Sequence, residues 1–210
     1  MTRWFDRYRT EEHLAVPAPA AAAWLTGQSS FRHSRLSPAQ AGLLEALAGL
    51  GFTAVPAGFP YNRAALGQPY RREPLVAASV RNGAQYLAAR HSRRFGHEVA
   101  RHLQPLVDAT ADRLLLLCGS SGAQLLTSSL PSLRLPAGLQ VLAIALGPVG
   151  RLPGSASGVE VHVVKGRTDV VSRWGHRGPV HRQVAAGHLD YAAAPEVRAD
   201  VLDVARRFLG

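Results

Sequence analysis

Leu114-Leu115-Leu116-Leu117-Cys118-Gly119-Ser120-Ser121-Gly122 is the stretch whose reading decides the fold. Four consecutive leucines, preceded by Asp112-Arg113, have strand length and no polar alternation. That is the pattern of a parallel strand buried on both faces. A tight turn of small residues follows, and Ala123 to Leu130 then reads as a helix. Strand, turn and helix in this order form one half of a β-α-β unit.

Toward the N-terminus, Ala21 to Thr26, ended by Gly27, and Phe52 to Val55, closed by Pro56, are two more apolar runs of strand length. Between them Ser37-Pro38 opens a helix, with serine as cap and proline in the first turn. Leu43, Leu44, Leu47 and Leu50 line one face of it, and Gly51 is its stop. Residues 57–73 contain Gly58, Pro60, Gly67 and Pro69 and read as a loop overhanging a site. Val76, Val80, Leu87, Val99, Leu103 and Leu106 fall near helical spacing, with Arg81, Arg90, Arg94 and Arg101 on a solvated face and a break at Gly96.

Toward the C-terminus, Leu139 to Leu146, Val159 to Val164 and the short Val180 to Ala185 are further strands. Pro195 to Leu209 is an amphipathic helix with Val197, Val201, Val204, Ala205 and Phe208 on one stripe. Residues 1–20, mixed in charge and then rich in proline and alanine, read as a leader ahead of a single domain over 21–210. Strands alternating with helices predict an α/β fold, a three-layer α/β/α sandwich with a mostly parallel central sheet. In such a sheet, ligand sites lie at the carboxyl ends of the strands.

Composition fits one globular domain: 210 residues, 47% apolar and 18% charged. The single cysteine, Cys118, can form no internal disulfide and has no partners for a zinc site, which fits a reducing compartment. The apolar run Ala15 to Leu25 contains Pro17 and Pro19 and follows Asp6, Glu11 and Glu12, so it is no signal peptide. No apolar run reaches the roughly 18 residues of a bilayer span. The expectation is a cytoplasmic protein. The net charge is +10, yet Lys165 is the only lysine and the arginines are dispersed apart from Arg71-Arg72, Arg90 to Arg94 and Arg206-Arg207. Such short clusters are weak support for a nucleic-acid partner, and that reading is disfavoured.

The chemistry is expected just beyond the strand ends. A nucleophilic serine presented on a strained strand-turn-helix elbow needs small residues two positions to either side, and Cys118 and Gly122 flank Ser120 in that way. It also needs a base to take its proton and an acid to orient that base. Val161 to Val164 leads through Lys165-Gly166-Arg167-Thr168 to Asp169, and Ala185-Ala186-Gly187 leads to His188 ahead of the last helix. The order along the chain is Ser120, Asp169, His188. Two alternatives stay open: Ser121, flanked by Gly119 and Ala123, as the nucleophile one register on, and Asp190 as the acid. Ser120 also reads as a helix N-cap, and Asp169 as a turn residue or helix cap. His97-Glu98 with His102 is no zinc motif, because the second histidine stands five residues on where helical ligands need four. Tyr61 and Asn62 read as ordinary loop residues.

On these residues the sequence resembles the α/β-hydrolase superfamily from about Ala21 to Leu209. The resemblance implies that Trp24-Leu25-Thr26-Gly27-Gln28 is the loop after the first core strand, whose backbone supplies half of an oxyanion hole through Gln28. It implies that Ser121 supplies the other half and that Gly166 to Asp169 is the acid loop. Cys118 stands where the family usually has glycine, and Thr26 where it usually has histidine. There is little room for the family's first two edge strands, and 147–158 and 170–179 are too short for its usual helices or a cap. The implied protein is a reduced serine hydrolase acting on a small-molecule ester or thioester, with no metal or organic cofactor. A catalytically silent binding or structural protein on the same fold is the alternative.

Overall fold

In the computed structural model, residues 5, 8, 10–28, 30, 33–66, 70 and 73–210 are described. Gly67 and Pro69 of the expected loop and the Arg71-Arg72 pair lie outside them. Six strands, β1 (Ala18–Thr26), β2 (Thr53–Gly58), β3 (Thr110–Gly119), β4 (Gln140–Leu146), β5 (Val159–Gly166) and β6 (Arg182–Val184), form one sheet in the order β2-β1-β3-β4-β5-β6. Every pairing is parallel. The helices are α1 (Pro38–Ala48), α2 (Leu75–His91), α3 (Arg93–Asp108), α4 (Gly122–Ser129), α5 (Val170–Gly175) and α6 (Pro195–Leu209).

The unbroken leucine run works because successive side chains of a strand leave on opposite faces. Leu114, Leu116 and Cys118 enter a core shared with Phe95, Val99, Leu103 and Leu126 of α3 and α4. Leu115 and Leu117 enter a second core with Leu43 and Leu47 of α1 and Val197 and Val201 of α6. All four leucines are buried, at roughly 2 kcal/mol of transfer free energy each. Helices on both faces of a parallel sheet make the expected three layers. Ser37 caps α1 through a reciprocal pair with Gln40, and Pro38 occupies its first turn.

Several boundaries differ from the sequence reading, each for a physical reason. β1 begins at Ala18, three residues earlier, and Phe5 and Tyr8 are buried in the α3-side core. β2 continues through Pro56 to Gly58. It is an outer strand, where one row of N–H groups has no partner and proline is tolerated. The break in the long helical stretch falls at Ser92, which is extended and accepts from the Phe95 N–H as cap of α3. Gly96 lies inside α3 because a Cβ there would come 2.3 Å from the Ser128 carbonyl oxygen of α4. With the phase reset at Ser92, α2 turns Val76, Val80 and Leu87 to solvent (77%, 67% and 55% exposed) and buries Gln85 and Ala89 instead. Tyr61, expected as an ordinary loop residue, is wholly buried with its ring edge-on to Phe59.

His102 is likewise a core residue, stacked on Phe5 with 5.0 Å between ring centroids, and His97 is exposed. Neither ring nitrogen of His102 has a partner among the described residues. Burial holds His102 down to about 4, and burial does the same to His13, whose ring nitrogen meets the His102 carbonyl. The unfolded imidazoles take up protons near pH 6.5 that the folded ones refuse, so stability falls as the pH drops from 6.5 toward 4. For a group as buried as His102 the loss is about 3 kcal/mol. Urea midpoints measured across this window are expected to decline, and the decline is expected to be shallower in His102→Phe.

Candidate active site

The carboxyl ends of β1, β3 and β4 lie side by side: Thr26 pairs with Gly119 and Gly119 with Leu146. β3 ends there and the chain turns through Ser120 with φ +51, in the left-handed region that side chains other than glycine avoid. Two hydrogen bonds fix this turn. The Ser120 N–H donates to the Leu146 carbonyl at 3.1 Å, and the Ser120 carbonyl accepts from the Val149 N–H at 2.9 Å. α4 begins directly afterwards, so close to β1 that a Cβ on Gly122 would sit 1.9 Å from the Leu25 carbonyl oxygen. The small-residue requirement at 122 is thus a helix packed against a neighbouring strand. Cys118 is fully buried, and burial pushes its thiol up to about 12, so it stays protonated and inert.

Across the turn, Ser120 Oγ lies 3.0 Å from His188 Nε2. His188 Nδ1 lies 3.0 Å from both oxygens of Asp169. A carboxylate only accepts, so Nδ1 carries the proton, and Nε2 is left to accept from the Ser120 hydroxyl. Asp169 is 1% exposed and also caps α5, accepting from the Ser172 N–H at 2.9 Å. Burial on its own would raise the Asp169 carboxyl. The hydrogen bonds from Ser172, His188 and Tyr191 outweigh burial and hold it below the usual carboxylate value.

Tyr191 is the residue that sequence reading missed here. Its hydroxyl donates to Asp169 Oδ2 at 2.7 Å and accepts from the Gly166 N–H at 2.6 Å, tying the acid to the end of β5. Burial and the hydrogen bond to Asp169 raise its hydroxyl well above the ordinary phenol value, so it remains a donor. Gly147, at φ +55 after β4, makes room for this pair: a Cβ there would fall 2.4 Å from the Tyr191 ring and 2.7 Å from Asp169 Oδ2. Tyr191→Phe deletes the donor and leaves the Gly166 N–H buried without an acceptor, which costs about 1–3 kcal/mol. If the site is active, kcat is expected to fall about tenfold, because Asp169 loses one of the bonds that fix it against His188.

The two alternatives separate geometrically. Asp190 is exposed, and its backbone carbonyl accepts from Ala193 and Ala194, while the ring of His188 faces Asp169. Ser121 Oγ is buried and has no hydrogen-bond partner among the described residues. Gly27 sits beside it: a Cβ on Gly27 would lie 2.5 Å from Ser121 Oγ and 2.7 Å from Asn82 Oδ1. Gln28 is buried next to the elbow, but its N–H donates to Gln85 Oε1 of α2 at 2.7 Å, and Gln85 Nε2 lies 3.5 Å from the Gln28 carbonyl. Gln85 therefore clamps the loop after β1 from both sides. The only sequence sign of it is a polar residue on the face of α2 that turns inward. Among the described residues no three His, Cys, Asp or Glu side chains group as metal ligands. No helix there is long and apolar enough to cross a membrane.

No protein-family profile matches the sequence, and no curated protein matches it. Solved structures do. A candidate hydrolase from Agrobacterium vitis S4 is 14% identical, with 93% of this chain and 91% of that one covered and a TM-score of 0.54. A dienelactone hydrolase from Anabaena variabilis ATCC 29413 is 14% identical over 92% and 88% at a TM-score of 0.48. A carboxylesterase from Mesorhizobium loti is 20% identical over 92% and 90% at 0.42. The first of these likenesses, together with the parallel sheet flanked by helices, shows the α/β-hydrolase fold. The missing edge strands anticipated from the sequence have no counterpart beyond β2 among the described residues.

Proposed function

We propose that this α/β-hydrolase-fold chain is a serine hydrolase that cleaves an ester or thioester through an acyl-enzyme. The observation that carries the reading is the continuous relay from Ser120 Oγ through His188 to Asp169, with each link at 3.0 Å. Ser120 Oγ bonds to the acyl carbon as its proton passes to His188 Nε2, and the carbonyl electrons move onto oxygen. Asp169 holds the imidazole in the accepting tautomer and stabilises it once charged. The oxyanion accepts from the Ser121 N–H at the start of α4, where the helix dipole favours negative charge. Collapse expels the alcohol or thiol, which takes the proton from His188. A water then attacks the acyl carbon by the same route and releases the acid.

Gln28 is the proposed second oxyanion donor, and its N–H is occupied by Gln85 Oε1 in this conformation. Exchange of that acceptor for the substrate oxygen is required before Gln28 contributes. The same occupied N–H is the one feature that favours a silent protein on this fold. A fluorophosphonate probe separates the two readings, since it bonds only to an activated serine. Stoichiometric labelling is expected, with the adduct mapped by peptide mass to Ser120. An unlabelled folded chain would pass the lead to the silent reading.

A further inference from the structure

A run of positive charge lies in the stretch of chain that carries Asp169 and leads to His188. Between Lys165 and Asp190 the chain carries Lys165, Arg167, Arg173, Arg177 and Arg182 against two acids, Asp169 and Asp190. Asp169 is buried and committed to His188 and Tyr191, so Asp190 is the segment's one exposed carboxylate. The four arginines are exposed, and none of them makes an ion pair among the described residues.

Among these charges stand apolar side chains that a folded chain normally hides. Trp174 is 77% exposed, Leu189 60%, Val170 59% and Val171 50%. Val170 and Trp174 share one side of α5, four residues apart. Val170 follows Asp169 and Leu189 follows His188, and those two side chains are bonded to each other, so the apolar patch and Ser120 share one end of the sheet. Solvent-facing tryptophan and aliphatic residues in the same stretch as arginines that make no ion pair among the described residues are an unfavourable surface for a chain that meets only water.

We propose that this patch docks the protein on an anionic lipid surface, with α5 lying at the headgroup layer and the Ser120 turn facing the lipid. Tryptophan is favoured at that depth, where its ring is in an apolar region and its N–H meets water or headgroups. Arginine stems lie along apolar surface while their guanidinium groups fork onto phosphate. Apolar insertion and basic attraction are each marginal alone and give stable attachment together. A nucleic acid would use the arginines and leave Val170, Val171 and Leu189 unexplained. The inference holds whether or not Ser120 is a nucleophile.

The test mixes the full chain with phosphatidylcholine vesicles, with and without phosphatidylglycerol, and follows flotation and tryptophan emission. Binding only to the phosphatidylglycerol vesicles is expected, weakening with added salt. A blue shift of emission is expected with binding, absent in Trp174→Phe, which still floats with the vesicles. Arg173→Gln with Arg177→Gln is expected to weaken binding on the order of tenfold or more. All three positions are exposed, and circular dichroism checks that the variants fold. The proposal is overturned by no flotation, or by flotation that moves neither with the two arginines nor with the emission of Trp174. It is also overturned if the chain binds a single-stranded oligonucleotide and not vesicles. Self-association that is lost in Trp174→Ser overturns it too, since a second copy then covers the patch.

Discussion

Ser120→Ala is expected to lower the hydrolysis of p-nitrophenyl acetate by roughly 10⁴-fold or more, the scale on which losing a triad nucleophile is felt. Alanine removes the attacking atom and keeps the Cβ, so the left-handed turn, its bonds to Leu146 and Val149 and the packing of α4 on β1 are all preserved. The melting temperature should therefore barely move while activity disappears. Ser121→Ala is the control. Its hydroxyl is buried without a partner among the described residues, and deleting such a group is close to neutral or stabilising. Should Ser121→Ala silence the protein and Ser120→Ala spare it, the nucleophile stands one residue later than proposed and the link to His188 is incidental.

Asp169→Asn is expected to cost a similar factor, roughly 10⁴ in kcat, for a different reason. The carboxylate is a pure acceptor at the meeting point of three donors, Ser172 N–H, His188 Nδ1–H and Tyr191 O–H. An amide can accept with one atom only, and its NH₂ then confronts a donor. The imidazole is released from the tautomer that leaves Nε2 free, and Ser120 loses its base. The variant should also be less stable at neutral pH. The Asp169 carboxyl is held below its unfolded value, so it contributes stability that is present above that unfolded value and is lost as the pH falls through the folded one. Single-turnover kinetics beside urea melts at two pH values separate the effects. An Asp169→Asn protein within tenfold of the original rate would remove Asp169 from the proposed triad.

How much of this was legible in the sequence depends on the range of the interaction involved. The leucine run of β3, the Ser37-Pro38 start of α1 and the apolar stripe of α6 are local patterns, and each forms the element its pattern dictates. Ser120, Asp169 and His188 each come within a few residues of a strand-length run, and the fold brings their side chains within hydrogen-bond reach of one another. Tyr191 and Gln85 were not legible, since their partners lie 22 and 57 residues away and no periodicity announces a side chain that reaches across the sheet ends. Gly96 misled for a related reason. A glycine demanded by a neighbouring helix looks, in one dimension, like a glycine that ends its own. The apolar residues of α2 misled because helical spacing gives a face and not the direction in which that face points. Residues 170–179, expected to be too short for the family's usual helices, contain α5, whose single turn and a half is too short to show a period.

Pro56, in the outermost strand, bears on how this chain behaves at high concentration. A sheet whose inner strands carry apolar runs such as Leu114 to Leu117 and Val141 to Leu146 would be a template for amyloid-like stacking if its margins could recruit further strands. One margin is β2, interrupted by a residue with no N–H to offer, and the other is β6, only three residues long with Arg182 and Gln183 turned outward. Neither gives an incoming strand a continuous ladder. At the end of β2 the Ser34 carbonyl also takes the Gly58 N–H, so the apolar interior is kept out of reach of an incoming strand, and Pro56→Val is expected to raise thioflavin-T-positive aggregation of a concentrated preparation.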